Sequence, residues 1–216
     1  MARKPARLGY DEAAALPYGA ITALHFLRRL GAVEAGEKVL ILGASGGVGR
    51  FAVQVAKHLG AEVTGVCSTG NFELVRSLGA DHVIDHRSLD LARLPGRYDV
   101  IFDIAGVTTF AQSRSALSPE GRFLTLLMSF GVLVQMLATS LRRGPRAIFS
   151  IAAGDRSQME QVAELAERGD HRIAHLGNIA QGSFLGMDDA GKTAKTLQQL
   201  LRQRLYIAAR AGREQD

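Results

Sequence analysis

The residues whose types and spacing could do chemistry are Gly43-Ala44-Ser45-Gly46-Gly47-Val48-Gly49. A diphosphate needs backbone N–H groups and the positive end of a helix dipole within hydrogen-bond reach. Side chains on the turn would hold it off. Gly46 and Gly47 let the backbone approach a pyrophosphate, and Gly49 lets the following helix pack close on the strand before it. Ala44, Ser45, Gly46, Gly47, Val48 and Gly49 are therefore the first candidate binding residues. The other reading is a tight strand-to-helix turn that binds nothing.

Such a turn works only where flanking elements hold it. The apolar run Val39-Leu40-Ile41-Leu42 precedes it, a helical pattern runs from about Val48 to Leu59, and Val63-Thr64-Gly65-Val66-Cys67 follows. Strand, glycine turn, helix and strand within about thirty residues is the length of a dinucleotide-binding βαβ unit. The alternation continues. Ser68-Thr69-Gly70-Asn71 reads as a turn capping a helix from Phe72 to Leu78, and Val83-Ile84 as a third strand. Tyr98 to Ile104 is a fourth strand, apolar enough to be covered on both faces. A helix from Phe110 to Leu117, a turn at Pro119-Glu120-Gly121 and a fifth strand at Arg122 to Leu126 come next. Leu127 to Leu141 fits either helix or loop, and Ala147 to Ile151 is a sixth strand. Ser157-Gln158-Met159-Glu160 has the capping-box pattern that starts a helix through Arg168. The expected fold is α/β with a doubly wound parallel sheet. A helical crossover segment, 1–36, precedes it. It holds a short helix from Tyr10 halted by Pro17 and a second from Gly19 to Leu30. The dinucleotide-binding domain covers 37–172. A divergent tail, 173–216, is helical by pattern from Asp188 to Arg210. That basic amphipathic helix either packs on the domain or meets a partner or membrane surface.

At 216 residues, 47% hydrophobic and 22% charged, the chain can bury a sizeable core. Its +5 charge is dispersed, with no interleaving of basic and aromatic residues, so no nucleic-acid partner is expected. Cys67 is the only cysteine, which excludes an intrachain disulfide and a four-cysteine zinc site. Met1 to Pro17 has no apolar signal segment, and the stretch Phe123 to Ala138 is too short and broken to span a membrane. A cytoplasmic location is expected.

Five separated motifs fall in one order: Ala13-Ala14-Ala15-Leu16-Pro17 with Thr22-Ala23-Leu24; the glycine stretch; Leu78-Gly79-Ala80-Asp81-His82-Val83-Ile84-Asp85; Tyr98-Asp99-Val100-Ile101-Phe102-Asp103; and Gly121-Arg122-Phe123. In these the chain resembles the cofactor-binding half of the medium-chain dehydrogenase/reductases. It is most similar to their zinc-independent, quinone oxidoreductase-like and NAD(P)-dependent alcohol dehydrogenase-like branch. The resemblance spans roughly residues 5–170 and implies a Rossmann fold. It also implies hydride transfer between NAD(P)H and a quinone or enone-like carbonyl. The family places its catalytic domain before the crossover segment and returns to it after the helix near Glu164. Here Met1 stands almost at the crossover and no Gly-Lys-Val-Val-like run follows Gly169. The expectation is a chain that lacks the catalytic domain and retains mainly nucleotide binding. The alternative is a non-catalytic NADP-binding module, a redox sensor or relic. No catalytic residue can be named.

An acid at the end of the second strand would hold the ribose hydroxyls of NAD. Cys67-Ser68-Thr69-Gly70-Asn71 has none, and Ser68, Thr69 and Asn71 could donate to a phosphate. NADP is favoured and NAD stays open, because no Lys or Arg stands at Gly70 to make a charge-assisted contact. His86 and Arg87 follow the third strand, where the family can contact the adenosine phosphate; otherwise they are a surface polar pair. Thr22 lies where a family threonine can approach the nicotinamide, or it caps a helix. Ala105 and Gly106 end the fourth strand at the carboxyl edge, small enough to admit the nicotinamide ribose. Asp103 could order that loop. No metal site is expected: His82 and His86 span a strand, about 13 Å apart, and His171 and His175 lack a third ligand. The glycines also fit short-chain dehydrogenases, which need a tyrosine with a lysine four residues later. After Tyr10, Tyr18, Tyr98 and Tyr206 stand Ala14, Thr22, Phe102 and Arg210. The sixth strand could sit at a sheet edge and pair across a homodimer.

Overall fold

A computed structural model of the protein describes residues 10–94, 96–127, 130–140, 144–151 and 156–167. These belong to one compact unit that ends at Gly177. The expected helix at 188–210, His171 and His175 lie outside the described residues.

Among the described residues six strands form one parallel sheet in the order β3-β2-β1-β4-β5-β6. They are β1 (Lys38–Leu42), β2 (Glu62–Cys67), β3 (His82–Asp85), β4 (Tyr98–Asp103), β5 (Leu117–Thr125) and β6 (Arg146–Phe149). Each apolar run in the sequence becomes a strand because both faces are covered. Val39, Leu40, Ile41 and Leu42 of β1 and Val100, Ile101 and Phe102 of β4 are fully buried. The doubly wound expectation holds. From β1 the chain winds outward to β2 and β3, then returns to β4 beside β1 and winds the other way. The order reverses between β1 and β4, where Leu40 pairs with Ile101 and Leu42 with Asp103. In such sheets ligands bind outside the carboxyl ends of the strands at this reversal.

The helices are α1 (Tyr10–Leu24), α2 (Gly47–His58), α3 (Phe72–Ser77), α4 (Phe110–Ser113), α5 (Phe130–Ser140) and α6 (Arg156–Glu167). Pro17 does not halt α1, as the sequence suggested, but lies inside it. An internal proline costs about 3 kcal/mol through its missing donor. Leu16, Ile21 and Leu24 are all buried, and each stabilises by about 1.5–3 kcal/mol, so packing outweighs the break. The helix then continues as a π-helical segment, His25–Leu30, in place of an ordinary α-helical ending. There Phe26 stacks on Phe102 with centroids 5.1 Å apart. His25 Nε2 lies 3.2 Å from Ser150 Oγ, and its Nδ1 lies 3.2 Å from Gln158 Nε2, so this segment is tied to the end of β6 and to α6.

Other boundaries moved for local reasons. α4 is shorter than expected and begins with a capping box of Thr109 and Gln112. Pro119-Glu120-Gly121 does not precede β5 but bulges within it: Tyr98 pairs with Leu117, and Val100 already pairs with Arg122. The ambiguous stretch after Leu127 contains helix α5. α6 starts at Arg156, so Ser157 sits inside the first turn, whereas a cap must flank it.

Candidate nucleotide site at the carboxyl edge of the sheet

β1 ends at Leu42, and Gly43 turns the chain with φ +89°. Val66 of β2 fixes the turn, its carbonyl accepting from the N–H groups of Gly43 (3.1 Å) and Ala44 (2.9 Å). Gly46 N–H donates to the Gly43 carbonyl at 3.0 Å, and α2 begins at Gly47. The glycines then divide by role. A Cβ on Gly49 would overlap the Gly43 carbonyl oxygen and lie 2.9 Å from the Ala44 backbone, so Gly49 is required for α2 to meet the turn. A Cβ on Gly47 would meet nothing within 4 Å. Its face is open, and the residue at the N-cap of α2, Gly46, has no side chain to cap the helix. The first N–H groups of a helix have no partner within it, so this end can receive an anion. Arg50, one turn in, donates from Nε to the Ser45 carbonyl at 2.7 Å. Burial pulls its guanidinium below the ordinary value, yet arginine remains charged.

The end of β2 joins this turn through side chains. Asn71 Nδ2 donates to Ser68 Oγ at 2.9 Å and to Ser45 Oγ at 3.3 Å. Beside them β3 supplies a second cluster, since Asp85 pairs in register with Cys67. Thr69 Oγ1 donates to Asp85 Oδ2 in a short hydrogen bond. Arg87 donates to the same carboxylate from its backbone N–H (2.8 Å), Nε (3.2 Å) and Nη2 (2.9 Å), and Nη2 also reaches Thr69 Oγ1 at 3.0 Å. The Arg87 hydrogen bonds, with those of Thr69, hold the Asp85 carboxyl well below the usual carboxylate range. Burial and, secondarily, Asp85 push the Cys67 thiol up.

A third wall comes from the loop after β4. Asp103 is fully buried, and its carboxylate accepts from the N–H groups of Gly106 (2.7 Å), Thr108 (2.9 Å) and Val107 (3.3 Å). Burial pushes its pKa up, and the backbone donors oppose that rise. The loop therefore lies against the first one: a Cβ on Gly43 would stand 3.1 Å from Ala105 Cβ. Glycine turn, β2 end and β4 loop thus converge at the strand-order reversal. A family model described as zinc-binding dehydrogenase matches residues 47–168.

The chain belongs to the medium-chain dehydrogenase/reductase superfamily.

It is 35% identical over 206 residues to the mouse mitochondrial NAD(P)H oxidoreductase RTN4IP1, a match covering 80% of this chain and 50% of that protein. It is 41% identical over 109 residues to the chloroplastic NADPH-dependent alkenal/one oxidoreductase of Arabidopsis thaliana, covering 50% of this chain and 28% of that one. The quinone oxidoreductase structure from Coxiella burnetii superposes with a TM-score of 0.71 at 25% identity, over 85% of this chain and 59% of its own. The chain spans about half the length of the mammalian relatives it matches. Among the described residues no three His, Cys, Asp or Glu side chains are grouped to hold a metal ion, and no helix is long and apolar enough to cross a membrane.

Ala44, Ser45, Gly46, Gly47, Val48, Gly49, Ser68, Thr69 and Asn71 follow the carboxyl ends of β1 and β2 in this medium-chain domain, and the loop of Ala105 and Gly106 meets the glycine turn at Gly43. His86 is exposed, its Nδ1 3.5 Å from Asp85 Oδ1. Thr22 is buried, its hydroxyl donating to the Tyr18 carbonyl at 2.6 Å within α1. Arg50 and Asp85 also border the candidate site, through Ser45 and Thr69, and the sequence reading does not name them as candidates. Arg50 carried a usable signal, a cation immediately after the glycine stretch. Asp85 carried none, because the cofactor rule looks at the end of β2 and this carboxylate arrives from β3.

Proposed function

We propose that the chain binds a nicotinamide dinucleotide across the carboxyl ends of β1, β2 and β4, with NADP(H) favoured. In a protein of the relatives' full length this binding would serve hydride transfer to a quinone or an enone-like carbonyl. The observation that carries the reading is the open Gly47 face at the uncapped start of α2, beside the bonded set Ser45, Ser68 and Asn71. The first turn of α2 would hold the diphosphate through backbone N–H groups and the helix dipole, with the Arg50 charge behind them. Ser68, Thr69 and Asn71 would face the adenosine ribose, and Arg87 supplies the cation that the β2 end lacks in sequence. A guanidinium is the group best suited to a 2′-phosphate. His86 would meet the same phosphate from the rim.

When bound, the nicotinamide supplies the hydride. The chain's own residues position it. Ala105 and Gly106 keep the wall thin, and Asp103 holds their loop. While Thr22 Oγ1 donates to the Tyr18 carbonyl it would offer the nicotinamide carboxamide only its acceptor lone pairs. Val107 and Leu127 are 65% and 55% exposed on the same side and offer apolar surface to a flat substrate. The substrate class is supported by the relatives named quinone and alkenal/one oxidoreductases.

The test is titration of the chain with NADPH and NADH, by cofactor fluorescence and calorimetry, followed by NADPH oxidation with a panel of quinones and enones. Binding with turnover supports the full reading. Binding without turnover supports the non-catalytic module. Failure to bind either cofactor removes both.

A further inference from the structure

The Asp85–Arg87–Thr69 cluster carries both charges that cofactor selection uses. An acid at the end of the second strand binds ribose hydroxyls and repels a 2′-phosphate, while an arginine nearby accepts that phosphate. β2 ends without an acid, but the β2–β3 register sets Asp85 beside Cys67, and its carboxylate reaches Thr69. A carboxylate therefore stands at the end of β2 after all, delivered by the neighbouring strand. Arg87 lies over it. The Asp85 side chain is 18% exposed and that of Arg87 72% exposed, so the acid is underneath and the cation faces solvent. Nε and Nη2 are spent on Asp85 and Thr69, while Nη1 has no partner among the described residues.

We infer that Asp85 and Arg87 act as opposed specificity determinants, a carboxylate masked by a guanidinium, and that their pairing sets the choice between NADPH and NADH. The inference rests on the dinucleotide reading above. With Arg87 in place, a 2′-phosphate meets a cation whose charge is half-committed to Asp85. The preference for NADPH is then modest, and NADH is admitted. Removing the carboxylate frees the whole guanidinium for the phosphate. Removing the guanidinium uncovers a carboxylate that repels the phosphate but can accept from the two hydroxyls of the NADH ribose.

The experiment measures both dissociation constants by calorimetry on the full chain and on D85N, R87A and R87K, with thermal melts to check folding. D85N is expected to raise the NADPH-to-NADH affinity ratio about tenfold, the worth of one charge-assisted contact. R87A is expected to weaken NADPH about ten- to a hundredfold while NADH changes by less than about twofold, reversing the preference. R87K, which keeps a charge without the fork, should fall between. Equal effects of R87A on the two cofactors would overturn the inference, as would a D85N chain whose preference moves toward NADH. If a variant fails to fold, the unmodified chain decides. Its affinity ratio should fall as ionic strength rises, because the Arg87 charge that meets the phosphate is exposed, and a ratio indifferent to salt would overturn the proposal. A wild-type chain that binds neither cofactor overturns the dinucleotide reading itself, and this inference with it.

Discussion

Replacing Gly47 by alanine separates a glycine kept for a ligand from one kept for the fold. In the protein alone the new methyl meets no atom within 4 Å, and Gly47 has no positive φ that alanine would resist. Gly47 opens α2, where alanine is the better helix former by up to about 1 kcal/mol. The variant should therefore melt at the wild-type temperature or up to about 4 °C above it. The same methyl stands where a diphosphate must approach the N–H groups of the helix start. Loss of one charge-assisted hydrogen bond, about 1.5–3 kcal/mol, weakens binding about ten- to a hundredfold. Gly49→Ala supplies the opposite case. Its methyl overlaps the Gly43 carbonyl, α2 must move off the turn, and overpacking of this kind costs about 1–3 kcal/mol before any ligand is added. Melting followed by circular dichroism, paired with NADPH calorimetry, reads both quantities. A Gly47→Ala chain with wild-type stability and wild-type NADPH affinity would refute the placement of the diphosphate at this turn.

Asp103→Asn replaces an acceptor-only carboxylate by an amide that turns an N–H toward one of the donors of Gly106, Val107 or Thr108. A loss of about 1–3 kcal/mol in urea unfolding is expected, together with faster amide exchange at 105–108. Asp81 joins the Lys57 ammonium at 2.8 Å and accepts from Val63 N–H at 2.7 Å; Asp81→Ala should cost about 1 kcal/mol by the same measurement. Burial pushes the Asp81 carboxyl up, but Lys57 and Val63 more than offset that, so it lies below its ordinary value, as does Asp85 beside Arg87. Carboxylates depressed in the folded state contribute stability above their unfolded pKa of about 4 and lose it as pH falls through the folded values. The urea midpoint should drop on acidification below about pH 4, less steeply in a D81N/D85N chain; equal slopes would refute the assignment. Among the described residues β6 pairs only with β5, and pairing of this edge across a homodimer predicts a solution mass of two chains. A single-chain mass at micromolar concentration would count against it.

What the sequence determined by itself was local. Gly43 to Gly49 could be read because every requirement of the turn is met within a few residues: a buried strand before it, a helix after it, and no Cβ where strand and helix meet. The parallel sheet was legible in the same way, since strands covered on both faces leave near-continuous apolar runs. Pro17 misled because its cost is local, whereas the burial of Leu16, Ile21 and Leu24 that overrides it comes from tertiary packing. His25, Ser150 and Gln158 gave no sign of meeting across more than a hundred residues. The clearest division falls at the end of β2. The absence of an acid there is a fact of sequence, but the β2–β3 register returns one, Asp85, and lays Arg87 over it. In the proposed reading cofactor selection turns on which charges share a few ångströms at the sheet edge, and strand pairing, not position along the chain, brings them together.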